Sequence, residues 1–299
     1  MNRRNAILAG LSAAVTVGTG SGKAGAATLG SAFASFRQGF APYRFGQVHY
    51  WQGGLERTPG KVPLLCLHAS PGSSRSYAAF LPLMAAQRPV IAADTPGYGL
   101  SDPPPSQPRI EDYADAMIAM ADNLKLRKID LLGNHTSSST ALEIAIRRPG
   151  LVRKIVVNSA LVYTPEEIIA LRESETPYAG LTFDVAANKA PVDWPRMRAM
   201  QRDMSEEDAW AFFWEVNRNP TRSIWGYEAS FTYDAKAALP RVTQPILVVS
   251  PDDVLRAPSL RARSLMRHGE VMELPWSAGT FTAHAAEMTQ IIGRFLDAG

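Results

Sequence analysis

One cysteine, Cys66, stands in 299 residues, which excludes an intrachain disulfide and a cysteine-based zinc cluster. Charge of one sign is scarce too. The formal excess is +3, yet residues 1–27 hold three of the 31 basic residues and none of the 28 acidic ones. Beyond residue 27 the chain is balanced, which removes the compositional support for a nucleic acid partner. No apolar run is long enough to span a bilayer. What remains is 46% hydrophobic and 20% charged, with 22 Gly and 22 Pro. That composition excludes collagen-like and disordered chains and supplies one large core.

Asn2-Arg3-Arg4-Asn5 precedes an apolar stretch at 6–17, and Ala24-Gly25-Ala26 offers small residues for cleavage. Together these are the three regions of an export signal peptide over residues 1–27. The paired arginines resemble a twin-arginine signal, although Ala6 stands where an aromatic residue is usual. An ordinary secretory signal and a basic tail are the alternatives. The mature chain is expected to be periplasmic or secreted, and off the membrane once the signal is removed.

From about residue 44, short apolar runs alternate with helical periodicity, the pattern of an α/β layer fold. Runs at 63–68, 90–94, 129–132, 154–158, 245–250 and 270–273 predict strands. Most lack a clean alternation, as in a parallel sheet covered on both faces. Tyr113, Met117, Met120, Ala121 and Leu124 share one helical face, as do Met288, Ile291, Ile292, Phe295 and Leu296. Residues 164–240 show helical patterns and no strand. They predict a helical cap inserted between core segments 28–163 and 241–299. Within it, Ser205-Glu206-Glu207-Asp208 resembles a capping box, with Trp210, Phe213 and Trp214 following at helical spacing. Trp194, Trp225, Tyr227, Phe231 and Tyr233 add to an aromatic density that either lines an apolar pocket or fastens the cap.

Three ordered stretches carry a family resemblance. Leu64-Leu65-Cys66-Leu67-His68-Ala69-Ser70-Pro71-Gly72-Ser73 is similar to an apolar strand followed by H-G-x-P-G-S. Asp94-Thr95-Pro96-Gly97-Tyr98-Gly99-Leu100-Ser101 is similar to D-x-P-G-x-G-x-S. Gly133-Asn134-His135-Thr136-Ser137-Ser138 aligns without a gap on the elbow G-x-S-x-G-G. The chain thus resembles the α/β-hydrolase superfamily over roughly residues 44–297. The resemblance implies a mostly parallel sheet flanked by helices, with a reactive side chain lifted above it at a strand-to-helix turn. It also implies that Asp253, after the run at 245–250, is the acid of the site.

Two departures bear on the chemistry. His135 stands where the family has its serine, and Ser137 and Ser138 replace glycines. The family's histidine position falls on Thr280, in Ser277-Ala278-Gly279-Thr280-Phe281, so the nearest imidazole is His284. A working Ser-His-Asp triad is therefore not assumed. Of five histidines, His68 belongs to the loop motif, His49 to an early strand pattern and His268 to a polar turn. That leaves His135 and His284. An imidazole on the elbow is suited to act as general base or nucleophile near neutral pH. The backbone N–H groups of Ser70 and Thr136 would bind an oxyanion if the family's arrangement is kept. Ser137 or Ser70 can instead supply a hydroxyl nucleophile to His135. Asp94 and Asp252 read as turn and loop residues.

Each assignment has a plainer competitor: a dead elbow for His135, and an ordinary polar helix start for His284. The leading expectation is an exported enzyme hydrolysing an ester, lactone or related carbonyl compound with an apolar or aromatic body. His135 would be the reactive residue, Asp253 the orienting acid and His284 a second acid or base. A lyase or isomerase using His135 as base is the alternative, as is an inactive ligand-binding protein. No metal-ligand spacing and no phosphate-binding glycine loop is present, so no cofactor is expected. The partner expected is a small-molecule substrate, and the oligomeric state stays open.

Overall fold

A computed structural model describes residues 33–56, 58–173, 193–200, 206–218 and 220–298. The expected signal peptide and Ser205 of the capping box lie outside the described residues. Among the described residues the sheet has eight strands: β1 (Arg37–Tyr43), β2 (Gly46–Gly53), β3 (Leu64–Leu67), β4 (Val90–Ala93), β5 (Ile129–Asn134), β6 (Val152–Asn158), β7 (Ile246–Ser250) and β8 (Gly269–Glu273). Their spatial order is β1-β2-β4-β3-β5-β6-β7-β8. β1 and β2 pair antiparallel, as do β2 and β4, and the other neighbours are parallel.

The central strands are mainly apolar because both faces are covered, and β3, β4 and β7 are apolar through nearly their whole length. β3 and β7 are buried at every position. Alternate side chains of one strand enter different cores. Leu65 and Leu67 pack on α2 (Ile110–Asn123) and α3 (Thr136–Arg147). Leu64 and Cys66 pack instead with α1 (Leu81–Ala85) and with the C-terminal helix Ala285–Asp297. That last helix shows how periodicity becomes packing. Met288, Ile292 and Leu296 recur at four-residue steps and are all fully buried.

Between β6 and β7 the described residues form helices joined by irregular segments and no strand: α4 (Pro165–Glu173), α5 (Trp194–Met200), α6 (Glu206–Asn217), α7 (Trp225–Thr232) and α8 (Ala235–Ala238). α9 (Arg256–Arg261) follows β7, and Ala285–Asp297 is α10. The sheet begins earlier than the legible pattern at residue 44. β1 is an edge strand in which only Ala41 is buried, so it carries no apolar alternation to read.

The chain order creates the site. From β3 the next strand, β4, is laid on one side and β5 on the other. Such a switch leaves a crevice at the carboxyl ends of β3 and β5, where ligands of open α/β sheets bind.

Candidate active site

At that crevice β5 ends on Asn134 and α3 begins at Thr136, with only His135 between them. His135 has φ 49° and ψ −112°, a backbone region in which a non-glycine residue is strained. Two hydrogen bonds hold it there. Its N–H donates to the Asn158 carbonyl at 2.9 Å, and its carbonyl accepts the Ser138 N–H at 2.8 Å. Gly133 permits the sharp reversal. A Cβ at that position would lie 2.6 Å from the Ser137 carbonyl oxygen, so α3 could not pack so close to β5. The half-buried imidazole is thereby raised above the sheet edge.

Asp253 stands in the turn after β7, where its Oδ1 accepts the Leu255 N–H at 2.8 Å. It acts on His135 through space, with no hydrogen bond between them. Burial pushes the His135 imidazole below its ordinary pKa of 6.5, and the Asp253 charge partly offsets this. Burial raises the Asp253 carboxyl, with His135 opposing. The imidazole is therefore neutral at pH 7 and able to take up a proton.

The expected oxyanion donors are adjacent but partly engaged. The Ser70 N–H donates to Thr136 Oγ1 at 2.9 Å, and that hydroxyl donates to Ser70 Oγ at 3.2 Å. The Thr136 N–H opens α3, where the first amides have no intrahelical acceptor. The Ser137 hydroxyl donates to the His68 carbonyl at 2.5 Å. His68 itself is fully buried. Its Nε2 accepts the Thr95 N–H at 3.0 Å and its Nδ1 contacts the Ala69 carbonyl at 3.0 Å, so the ring ties the loop after β3 to the loop after β4. Asp94 braces the same region, joining His49 at 2.7 Å and accepting the Ser74 and Leu100 N–H groups at 2.8 and 2.9 Å.

His284 caps α10. Its ring stacks on Trp276 at 4.2 Å, and its Nδ1 lies 2.8 Å from Glu287. None of its contacts is with His135 or Asp253. Thr280 is buried in the loop before it, at the family's histidine position. His268 is exposed, in a turn. Among the described residues no group of three or more His, Cys, Asp or Glu side chains gathers as a metal site. No described helix is long and apolar enough to cross a membrane.

An elbow at the switch point, an acid after β7 and loops closing over β3 and β4 form one family's arrangement. A model of the alpha/beta hydrolase family matches residues 64–288, most of the chain. The chain belongs to the alpha/beta hydrolase family. A 2-hydroxymuconate semialdehyde hydrolase of Pseudomonas sp. (strain CF600) is 34% identical over 99 residues, covering 32% of this chain and 35% of that relative. The chain thus matches about a third of that relative's length. Among solved structures, an esterase from Exiguobacterium antarcticum superposes with a TM-score of 0.69 at 14% identity, covering 88% of this chain and all of that one. The enol-lactonase from Burkholderia xenovorans LB400 gives 0.67 at 17% identity, over 87% of this chain and 100% of its own. At such identities these two show the fold alone.

In this α/β hydrolase the cap aromatics divide between tasks. Trp225 and Tyr233 pack with Tyr98, Ile110, Tyr113 and Ala229, fastening cap to core. Trp210 and Trp214 are 47% and 58% exposed; Trp210 stacks on Phe213 and meets Trp194 and Trp214 edge-on. Phe212 turns the other way, lying 3.9 Å from where a Gly72 Cβ would be, over the loop after β3. Tyr98 of the motif at 94–101 is fully buried. Its hydroxyl accepts the Gly226 N–H at 2.7 Å and so links the elbow's neighbours to α7. A Cβ on Gly226 would stand 1.9 Å from Ser70 Oγ. Gly226→Ala is accordingly expected to cost about 1–3 kcal/mol by overpacking, read from urea unfolding. A surface concavity of about 400 Å3, bordered by Phe36, Gln52 and Pro82, shares no residue with this site.

Proposed function

We propose that this chain is an exported hydrolase of esters, lactones or related carbonyl compounds with apolar or aromatic bodies, in which His135 is the reactive group. One observation carries the reading. The elbow holds a neutral imidazole, not a hydroxyl, in a strained backbone conformation at the switch point, beside a carboxylate. Strain of this kind costs about 1–3 kcal/mol and persists where the surroundings impose it.

The imidazole takes a proton from a water as that water attacks the substrate carbonyl. Asp253 balances the imidazolium charge that develops. The Thr136 N–H donates to the new oxyanion, joined by the Ser70 N–H once the Thr136 hydroxyl turns aside. The imidazolium then returns its proton to the leaving oxygen, so atoms and charge balance without an acyl-enzyme. Support for hydrolysis comes from membership of the alpha/beta hydrolase family. His284 serves as a second acid or base only if its loop brings it nearer the elbow. Ser137, with its proton committed to the His68 carbonyl, is a poorer nucleophile than the water. Residues 1–27 supply the export address.

A second reading has its own observation. Because Thr136 Oγ1 already accepts the Ser70 N–H, the hole is half-filled, which suits proton abstraction with no tetrahedral intermediate, as in a lyase or isomerase. Turnover of aryl esters and lactones by the full chain in 18O-enriched water separates the two. Hydrolysis incorporates the label into the acid product. Product without label supports the second reading, and ligand-induced stabilisation without product marks a binding protein.

A further inference from the structure

Glu215 on α6 occupies a position that the elbow chemistry does not use. Its Oε1 is shielded from solvent and, among the described residues, has no hydrogen-bond partner. Glu215 as a whole is half-buried, and the fully buried carboxylates of the described residues do not leave an oxygen in this state. Asp94 accepts two backbone N–H groups and joins His49, Asp130 joins two arginines, and Glu143 holds Arg147 and Tyr233. Leaving a carboxylate oxygen buried and unpaired is costly, since desolvation is not offset by a donor.

Its placement says where a donor would come from. Phe212 lies one helical step before Glu215, on the same face of α6, and its ring rests over Gly72 in the loop after β3. The Glu215 charge also acts on the buried His68 ring at the base of that loop. The carboxylate thus lies between the cap helix and the loop that borders the elbow. It is on the Ser70 side of the site, whereas Asp253 is on the β7 side.

We propose that Glu215 is a substrate-binding residue, whose Oε1 accepts a hydrogen bond from a polar donor, a hydroxyl or an ammonium group, carried by the apolar substrate. This rests on the reading of the crevice as the substrate site and adds what the substrate must bear. Phe212 covers the apolar body, and Glu215 fixes which end of it lies under the cap. The carboxylate holds and orients the substrate and takes no part in proton transfer at the reacting carbon.

The test uses three acetate esters that differ at one position: 4-methylphenethyl, 4-hydroxyphenethyl and 4-(aminomethyl)phenethyl acetate. Calorimetric binding of the three corresponding alcohols to the full chain runs beside turnover. Wild type is expected to favour the hydroxyl or ammonium member over the methyl one by about tenfold or more, mainly in KM and Kd. Glu215→Gln keeps an accepting oxygen, so it retains part of a hydroxyl preference and loses an ammonium preference. Glu215→Leu brings the ratios to about one. Both variants should melt at or above the wild-type temperature, because each removes a carboxylate with a shielded, unpaired oxygen; a purely structural carboxylate would lower it. A wild type that prefers the methyl member, or a ratio unchanged in Glu215→Leu, overturns the proposal. Because the alcohols report binding without turnover, and His135→Ala can be titrated with them, failure of the hydrolytic reading remains separate from failure of this one.

Discussion

His135→Ala is expected to lower kcat/KM for an aryl ester by about 10²–10⁴-fold while ligand still raises the melting temperature. General-base catalysis by one positioned imidazole supplies that range, about 3–5 kcal/mol of barrier. The fold should tolerate the change well. The ring is half-buried at the mouth of the crevice, and the elbow's backbone hydrogen bonds to Asn158 and Ser138 do not involve the side chain. Alanine inherits the positive φ, whereas glycine adopts it freely, so His135→Gly should melt above His135→Ala by the strain released. The pattern expected is therefore a large kinetic loss with small and opposite stability changes. Turnover within threefold of wild type in His135→Ala would make the elbow a packing feature.

The largest effect on stability is expected far from the chemistry. Arg88, just before β4, is fully buried and lies 3.3 Å from Asp130 on β5 and 2.6 Å from Asp297 at the end of α10. Arg153 on β6 holds Asp130 with contacts of 2.9 and 2.6 Å, and Lys61 reaches Asp297 at 2.9 Å. This network clamps the last helix against one end of the sheet. Even so, burial leaves the Asp130 carboxyl above its ordinary range, with the arginines opposing. The charges are thus tolerated rather than strongly favoured over water. Breaking such a set halfway is the costly step. Asp130→Ala leaves Arg88 buried with only the partly exposed Asp297, and is expected to cost about 3–5 kcal/mol in urea unfolding. Asp130→Leu combined with Arg88→Met strands less charge and should recover a substantial part of that loss. A single-variant cost below about 1 kcal/mol would remove the clamp from the account.

Parts of this molecule were legible in the sequence for identifiable reasons. β3, β4 and β7 could be read because sandwiched parallel strands are apolar along their length, and β5 and β6 because most of their positions are; β8, an exposed edge strand, could be read from Val271 and Met272 alone. α2 and α10 could be read because each buries one stripe. β1 escaped because a strand at the sheet edge with only Ala41 buried leaves no pattern. The elbow was legible from Gly133 to Ser138 as an ungapped motif, including the exchange to His135. Asp253 was pointed to by the family resemblance, and the structure sets it after β7 where its charge acts on His135. Glu215 was not legible, because its significance depends on α6 folding back over Gly72, a long-range packing event with no local signature. Nor was the engagement of the Ser70 N–H by Thr136, since hydroxyl orientation across 66 residues of chain follows only from the assembled loops.

The central claim is that a neutral elbow imidazole is the base. The most direct measurement is kcat/KM against pH for the full chain and for Asp253→Asn, on one aryl ester. The rate should fall as pH drops through the His135 pKa, because protonation removes the base. Burial holds that pKa below 6.5, so the acid limb of the wild type should lie below 6.5. Asp253 raises the His135 pKa, so removing its charge should move the limb to still lower pH. A wild-type limb at or above 6.5, or one that stays in place in Asp253→Asn, would contradict the account.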